Sequence, residues 1–484
     1  MIKNNKIILS IGLIHIIPII TLIISTLPHL KFSSSFIYLL FMISFTANIL
    51  FSIYLQIKHQ SGTFFYFLSV LFFLGFAFKF SFHVILGHPY IEPIGSFVFN
   101  QSNIQEVLLI GTTGALGLFL SQIISYYFFI KKKASDILHE SSVPFLLNYK
   151  TLSILTILTI LMSYLNLKYN ILLFGFTPSV NLPLKGNVIF FLLLTRFFLF
   201  AMLYYCFKKF SYISILWGAI IVMIASVGVL SRMVIISFFA VPGLYLLQNI
   251  EHHSITNTLK KLFYLILVFG FISWLTVLFS SRLREIYIPT TASKTIKQSP
   301  SLIKKLQIAS NSNSAATITS YKGLALERWI GMEGVMAVVS YPNKSFSFLW
   351  DALCEKSYKG KSFYNKISSP VLFSQLEMKQ SLKNISTSVP GPIAFFYYTG
   401  SLVFVFFITF LSCFLIFLIE HLLGKYSSIA TMSSIFISVF MTFDFFQFGI
   451  SPITFVKYWG FTFFCLSIFL LFESKRFKSI FQKI

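Results

Sequence analysis

The sequence predicts an all-α, polytopic integral membrane protein with about twelve transmembrane helices. Hydrophobic residues make up 56% of the 484-residue chain and charged residues only 11%. The mean hydropathy is +0.82, and apolar runs of about 20 residues, the length that crosses a bilayer, recur along the chain. A soluble domain of this length would need far more charged surface, so the composition excludes the soluble classes.

The apolar runs divide the chain into three parts. Residues 1–280 hold nine predicted transmembrane helices, residues 281–390 form one long polar loop with short helices, and residues 391–484 hold three more helices. The first run follows the basic stretch 1–6 and is too long for a signal peptide. The predicted spans are 7–27, 36–55, 64–86, 107–130, 152–167, 188–207, 212–229, 233–247, 262–279, 393–419, 429–448 and 455–472.

Basic residues flank alternate ends of these spans. They cluster at 131–133, 208–209, 260–261, 425 and 475–478. The positive-inside rule therefore places these segments and both termini in the cytoplasm. Topology thus explains much of the net charge of +24, which in a soluble protein would indicate nucleic-acid binding. No soluble nucleic-acid-binding module is recognisable, and no nucleic-acid partner is expected.

The long loop 281–390 lies on the outer side in this topology. It contains fifteen Lys and Arg residues against six Asp and Glu residues. Segments longer than about 60 residues translocate largely regardless of charge, so topology does not explain this excess. We expect the loop to bind an anionic, lipid-linked substrate at the membrane surface. Within it, the Ser-, Asn-, Ala- and Thr-rich run 309–320 is expected to be a linker.

Several charged residues occur within or at the start of predicted spans, among them Arg196, Asp444 and Arg232. Arg196 lies well within the sixth span, Asp444 lies within the eleventh, and Arg232 begins the eighth. Charged residues inside a bilayer are costly and often functional, so all three are candidate site residues. The alternative for Arg196 and Asp444 is a structural ion pair between them or a side chain that extends to the interface.

Three arginines are expected at one level of the membrane. Arg232 belongs to the short outer turn 230–232, and Arg282 and Arg284 directly follow the ninth span. Counting along the spans places all three at the outer headgroup level, where a lipid diphosphate would lie. A guanidinium pairs with phosphate oxygens at two points and stays protonated. We therefore predict a diphosphate clamp, with an interfacial collar of basic residues as the alternative.

The loop segment 324–334 combines Glu327, Arg328, Trp329 and Glu333. An aromatic ring can stack on a sugar while a carboxylate takes a hydroxyl proton, so this segment is a candidate catalytic site. The two carboxylates are six residues apart and would point away from each other on one continuous helix, unless the intervening glycine bends the chain. The alternative is an amphipathic helix that lies on the membrane.

The motifs of several enzyme classes are missing. The sequence has no Gly-rich phosphate loop ending in Lys and Ser or Thr, no His-Glu-x-x-His, no Cys-x-x-Cys and no Gly-x-Ser-x-Gly. ATP hydrolysis and zinc proteolysis are therefore not expected. No metal ion or other cofactor is predicted.

Two short motifs and the position of the long loop give the chain a resemblance to a known family. The first motif is Val-Leu-Ser-Arg at 229–232, before a hydrophobic helix. The second is 389–400, where Val-Pro-Gly-Pro leads into a helix with Phe-Phe-Tyr-Tyr-Thr-Gly. In these motifs and in its layout the chain resembles the O-antigen polymerases, bacterial membrane enzymes that extend surface polysaccharides.

The resemblance implies a metal-independent glycosyltransferase of the bacterial inner membrane with a periplasmic long loop. It would transfer a growing glycan from polyprenyl diphosphate to the sugar of a new lipid-linked repeat unit. The arginines would stabilise the departing diphosphate, and Glu327 or Glu333 would activate the acceptor hydroxyl. The implied partners are the polyprenyl-diphosphate-linked oligosaccharide, the lipid bilayer, a chain-length regulator and a flippase.

The predicted site residues fall into two groups. The catalytic group is Arg232, Arg282, Arg284, Arg328, Glu327 and Glu333. The substrate-binding group is Arg196, Trp329, Asp444 and His88.

Two alternative functions remain open. O-antigen ligases share the layout but are expected to carry a functional histidine in the long loop. Residues 281–390 contain no histidine, and His88 lies in a different outer loop. A flippase or other transporter of lipid-linked oligosaccharides also fits many helices with buried charges, although transporters usually have short loops.

Overall fold

The computed structural model describes residues 2–87, 90, 93–131, 149–174, 176, 178–183, 186–208, 211–248, 255–287, 329–355, 363–368, 389–426, 430–448 and 452–473. The secondary structure in these ranges is helical, without a β-strand. The predicted all-α class is therefore confirmed, and the arrangement is consistent with a polytopic membrane protein.

The α-helices are numbered in chain order. They are α1 (Ile2–Thr26), α2 (Phe32–His59), α3 (Thr63–Phe72), α4 (Lys79–Leu86), α5 (Gln101–Ser125), α6 (Tyr149–Tyr169), α7 (Gly186–Leu192), α8 (Phe198–Lys208), α9 (Tyr212–Val229), α10 (Met233–Gln248), α11 (Ile255–Tyr287), α12 (Met332–Val339), α13 (Phe346–Leu353), α14 (Phe363–Ser368), α15 (Pro392–Phe396), α16 (Leu402–Tyr426), α17 (Ala430–Phe446) and α18 (Pro452–Glu473). The π-helical turn Phe73–Phe78 joins α3 to α4, and Leu193–Phe197 joins α7 to α8. Each of these pairs therefore forms one continuous element.

Nine helical segments of the described chain are long and apolar enough to cross a membrane. They correspond to nine of the predicted spans. The other three predicted spans correspond to the shorter apolar helices Met233–Gln248, Ser434–Phe446 and Phe455–Ile468. The tenth span begins later than predicted, because a turn that ends at Gly400, with φ 74°, separates α15 from α16.

Contacts between residues distant in sequence define the two ends of the helical bundle. At one end, Tyr397 Oη donates a hydrogen bond to Glu106 Oε1 at 2.7 Å. At the other, Glu420 Oε1 accepts from the Thr63 N–H at 2.9 Å, and this carboxylate thereby caps the N-terminus of α3. We call the end with Tyr397 the loop end, since it carries the described parts of the long loop.

Helix α12 enters the bundle instead of lying on its surface, because all its residues are buried. The stretch 329–331 before it reaches Gly75, which lies at the midpoint of the membrane span Thr63–Leu86. A Cβ atom on Gly75 would overlap the Ile330 carbonyl, and one on Gly331 would overlap the Gly75 carbonyl. The predicted loop therefore contains a re-entrant segment, 329–339, and its close backbone approach needs glycine on both sides.

The segment 389–400 packs against this re-entrant segment. Gly334 lies so close to the Pro390 carbonyl that no side chain fits between them, and Gly391, with φ +77°, contacts the Ile330 side chain. Helix α15 then follows directly from Gly391. The re-entrant segment 329–339 and the segment 389–400 therefore form one packed unit, which we call the packed loop unit.

Helix α17 ends deep in the bundle. Its last residue, Phe446, packs on Phe72 with ring centroids 6.1 Å apart, close to Gly75 at the middle of the third span. Beyond this end, Phe395 of α15 lies 5.0 Å from Phe448 between ring centroids. The packed loop unit therefore sits on the end of a short helix.

We expect Gly75→Val to destabilise the fold by more than about 3 kcal/mol, because the valine side chain meets backbone that cannot move aside. Gly270→Val is the matched control. Gly270 lies in α11 with open space where its Cβ would be, so no steric cost applies, and the change in helix propensity, under about 1 kcal/mol, slightly favours valine. Thermal unfolding of the purified proteins measures both, and equal melting temperatures would contradict the re-entrant packing.

Candidate functional site

Arg232 and Arg284 meet where the turn between α9 and α10 packs on the end of α11. Leu230 adopts a left-handed conformation, with φ 55°, and this reverses the chain. Arg284 Nη2 donates to the Leu230 carbonyl oxygen at 2.7 Å. Arg232 Nη2 donates to Ser281 Oγ at 3.1 Å. The two arginines therefore tie the turn to α11.

Arg282 lies in the same turn of α11. Between it and Arg284, Leu283 is buried against Leu230 and Leu173. The three arginine side chains are only half-buried, so part of each remains accessible. Arg232 and Arg284 therefore lie at the same turn, whereas Arg282 and Arg284 are two residues apart and project from opposite sides of α11. A diphosphate clamp of all three arginines stays a prediction.

The arginine turn adjoins the packed loop unit. Gln447 Nε2 donates to the sulfur of Met233, the neighbour of Arg232, at 3.4 Å. Gln447 directly follows Phe446, whose carbonyl lies near Gly391. A continuous series of contacts therefore leads from Arg232 to the re-entrant segment.

A buried ion pair lies at the base of the re-entrant segment. Lys79, which follows the π-helical turn Phe73–Phe78, pairs with Glu333, and the two side chains are 1% and 5% exposed. Lys79 Nζ also donates to the Trp329 carbonyl oxygen at 3.0 Å. Glu333 occupies the first turn of α12, where the helix dipole favours a carboxylate. Lys79 therefore holds the chain on both sides of the bend that leads into α12.

Arg196 and Asp444 form the buried ion pair that the sequence suggested. The Arg196 guanidinium carbon lies 4.3 Å from the ring centroid of Phe440 and 5.8 Å from that of Tyr458. Within the described part of the chain, Arg196 Nη1 and Asp444 Oδ2 have no hydrogen-bond partner. Arg196 lies in the π-helical turn Leu193–Phe197, and such turns are frequent at functional sites.

Three predicted site residues, His88, Glu327 and Arg328, lie outside the described residues. Glu333, the other predicted base, is 4% exposed and does not face solvent in this conformation. Trp329 packs, partly buried, against the hydrophobic core. The alternative for 324–334, an amphipathic helix on the membrane surface, is wrong for 332–334, which belong to the fully buried helix α12, and residues 324–328 lie outside the described residues.

Sequence analysis missed Lys79 as a candidate. It lies inside the third predicted span and meets the same criterion as Arg196, a charged residue within an apolar run. Applying that criterion to every span would have found it. Its partner Glu333 was proposed as a catalytic carboxylate and not as a partner of a buried lysine.

Sequence analysis also missed a polar cluster at the loop end. Lys344 Nζ donates to the Val339 carbonyl oxygen at 3.0 Å and so caps the C-terminus of α12. It also lies 5.5 Å from the ring centroid of Tyr397, whose hydroxyl group is bonded to Glu106. Burial and the hydrogen bond to Glu106 raise the pKa of Tyr397, and burial lowers the pKa of Lys344. This cluster fixes α12 against α5 and α15.

Glu355, just after α13, is a further carboxyl group at the loop end. It accepts a hydrogen bond from the Phe363 N–H at 2.6 Å. Burial raises its pKa to about 7, while this hydrogen bond and the charge of Lys366 oppose the rise. A carboxyl group that titrates near neutral pH is suited to proton transfer. Nothing in the local sequence distinguishes Glu355 from other loop carboxylates.

The comparisons give no relative for this arrangement. No protein-family model, no curated protein and no solved structure matches the chain. Among the described residues, no three His, Cys, Asp or Glu side chains come together as a metal site would require.

We expect Lys79→Ala to destabilise the fold by about 3–5 kcal/mol, because it leaves a buried carboxylate without its cation. Glu333→Gln in the same chain should recover part of this loss, since the amide carries no charge. Denaturant unfolding of the two single variants and the double variant measures the coupling. Additive effects of the two substitutions would contradict an ion pair.

The raised pKa of Glu355 predicts that the stability of the folded protein depends on pH. Folding raises its pKa from an ordinary value near 4.5 to about 7, so its contribution to stability is complete below the unfolded pKa and is lost as pH rises through the folded pKa. Melting temperatures of the wild type and of Glu355→Gln should therefore diverge between about pH 5 and pH 8, with the wild type losing stability relative to the variant.

The control for this titration is Asp351→Asn, which changes an exposed carboxyl group of α13, one turn before Glu355. Its stability relative to the wild type is expected to stay constant over the same range. Parallel curves for the wild type and Glu355→Gln would show that Glu355 does not titrate there.

Proposed function

We propose that the protein is a membrane glycosyltransferase that extends a bacterial surface polysaccharide, as an O-antigen polymerase does. It transfers the glycan from polyprenyl diphosphate to a new lipid-linked repeat unit, without a metal ion. The loop end faces the periplasm, and both termini are cytoplasmic. Ligation of a finished polymer is less well supported, because residues 281–390 contain no histidine.

The observation that carries this proposal is the position of Arg232 and Arg284 at one turn of the loop end, with Arg282 in the same turn of α11. Their side chains are half-buried at the end of a membrane span, the level at which a lipid headgroup lies. Guanidinium groups pair with phosphate oxygens and offset the charge that develops on a departing diphosphate. Held by bonds to Leu230 and Ser281, the side chains of Arg284 and Arg232 are also oriented in advance.

The acceptor hydroxyl needs a group that takes its proton. Glu327 of the sequence-based proposal remains a candidate, and Glu355 joins it because its pKa of about 7 suits a general base. Glu333 serves instead to hold the re-entrant segment through Lys79.

A second candidate function is a flippase or other transporter of lipid-linked oligosaccharides. The pairs Lys79–Glu333 and Arg196–Asp444 favour it, since both are buried among the membrane spans. Buried charges and interrupted helices within a membrane are common where substrates or ions pass.

The genetic test is a gel of surface polysaccharide from cells with and without the gene, with a stain for single repeat units. Loss of the ladder with one repeat unit still displayed outside supports a polymerase. Polymer that stays on its lipid carrier would identify a ligase instead. Repeat units that accumulate facing the cytoplasm would identify a flippase.

We expect Arg232→Ala and Arg282→Ala each to reduce chain extension by about a hundredfold or more, because each removes charge stabilisation from the transition state. Lys457→Ala is the control, since Lys457 is an exposed basic residue near the loop end of α18. The gel measures chain length, and immunoblots of the membrane fraction confirm that each variant is present. Wild-type ladders in both arginine variants would contradict the clamp.

A further inference from the structure

Two lysines lie at the ends of neighbouring membrane spans, at the end of the bundle opposite the loop end. The span Ser33–His59 carries Lys58 in its last turn, and the span Gln101–Ile130 is followed directly by Lys131. Both lysine side chains are exposed, and the helices that carry them, α2 and α5, pack on each other. The two ammonium groups therefore lie at one membrane surface, near the level of the lipid phosphates.

Both ammonium groups are held on aromatic rings instead of extending into water. Lys58 Nζ donates to Tyr54 Oη at 3.0 Å and lies 4.9 Å from the centroid of the same ring. Lys131 Nζ lies 5.7 Å from the ring centroid of Tyr127. Distances below about 6 Å are those of cation–π contacts. The positive-inside rule requires basic residues here but no particular contact of their side chains, so topology alone does not explain this arrangement.

A row of aromatic rings connects the two lysines. Between ring centroids, Tyr54 lies 6.1 Å from Tyr126, and Tyr126 lies 5.2 Å from Tyr127. The His59 imidazole packs on Tyr54 and Tyr126, at 5.6 and 5.3 Å. Rings with polar tips are typical of the membrane–water interface. The two lysines and these four rings therefore form one surface, which we call the lysine–tyrosine surface.

Among the described residues, no carboxylate pairs with the lysines of this surface. Glu420 lies at the same end of the bundle, but it is only 4% exposed, and its oxygens accept hydrogen bonds from the Thr63 and Phe64 N–H groups. Lys131 is also the first of three consecutive lysines in the sequence. The lysine–tyrosine surface therefore fits an anion, to which ammonium and phenol hydroxyl groups both donate.

We propose that the lysine–tyrosine surface binds the phosphate of an anionic phospholipid. Basic residues near a membrane surface attract such lipids. A zwitterionic phospholipid is a poorer fit, because its amine would meet two ammonium groups. Free inorganic phosphate offers the same anion but has no acyl chain to cover Tyr127 and Phe128, which are 57% and 64% exposed beside Lys131. The inference does not depend on the proposed function, whose chemistry lies at the loop end.

The experiment uses the full chain in detergent micelles, with short-chain phosphatidylglycerol, short-chain phosphatidylethanolamine or inorganic phosphate as the probe. A ligand that binds the folded state stabilises it, so thermal unfolding at rising probe concentration gives an apparent affinity. We expect phosphatidylglycerol to bind about tenfold more tightly than phosphatidylethanolamine, and inorganic phosphate to bind more weakly than phosphatidylglycerol. Equal affinities for the two lipids, or for phosphatidylglycerol and inorganic phosphate, would overturn the proposal. This comparison in the wild-type protein requires no variant to fold.

Variants without one positive charge locate the site. Lys58→Gln and Lys131→Gln should each reduce the affinity for phosphatidylglycerol about fivefold. Lys260→Gln is the matched control, because Lys260 is an exposed lysine of α11 at the same end of the bundle and lies outside the lysine–tyrosine surface. Its affinity should equal that of the wild type. Wild-type affinity in both site variants, or an equal loss in Lys260→Gln, would show that net charge and not this surface attracts the lipid, and would contradict the proposal.

Discussion

The buried ion pair between Lys79 and Glu333 is the interaction on which the described loop end depends. Two charges removed from water cost several kcal/mol each unless they pair closely, so this pair strongly disfavours any arrangement that separates them. It fixes the start of α12 against the middle of a membrane span. The close contact between the Gly75 and Ile330 backbones leaves no space for the segment 329–331 to shift along that span. Polar backbone can lie at this depth only because protein surrounds it on all sides.

The other parts of the site follow from that position. The re-entrant segment gives Gly391 a surface to pack on, and Gly391 directs α15 against the end of α17. The short α17 in turn brings Gln447 to Met233 and thereby sets the arginine turn beside the loop unit.

Much of this could be predicted from the sequence, and the physical reasons are specific. Hydropathy finds the spans because a bilayer requires about 20 apolar residues, and counting along them placed Arg232 beside 282–284. The pair of Arg196 and Asp444 followed from the cost of charge inside a span. Residues 332–339 could not be recognised as re-entrant, because an eight-residue segment that includes Glu333 is too short for a span and resembles a buried loop helix. The partner of Lys79 lies about 250 residues away, and no local pattern reveals such a contact.

Cross-linking tests the central claim that the segment 329–339 reaches the middle of the third span. The four native cysteines, which are all free, are replaced, and cysteines are introduced by Lys79→Cys and Glu333→Cys. A protease site inserted within 309–320 then allows the two halves of the chain to be separated. A short bifunctional thiol reagent should join the halves reversibly in this pair, but not when Ser347→Cys of the exposed face of α13 replaces Glu333→Cys. If the two halves of the cleaved chain separate with both cysteine pairs, the re-entrant segment does not lie beside Lys79.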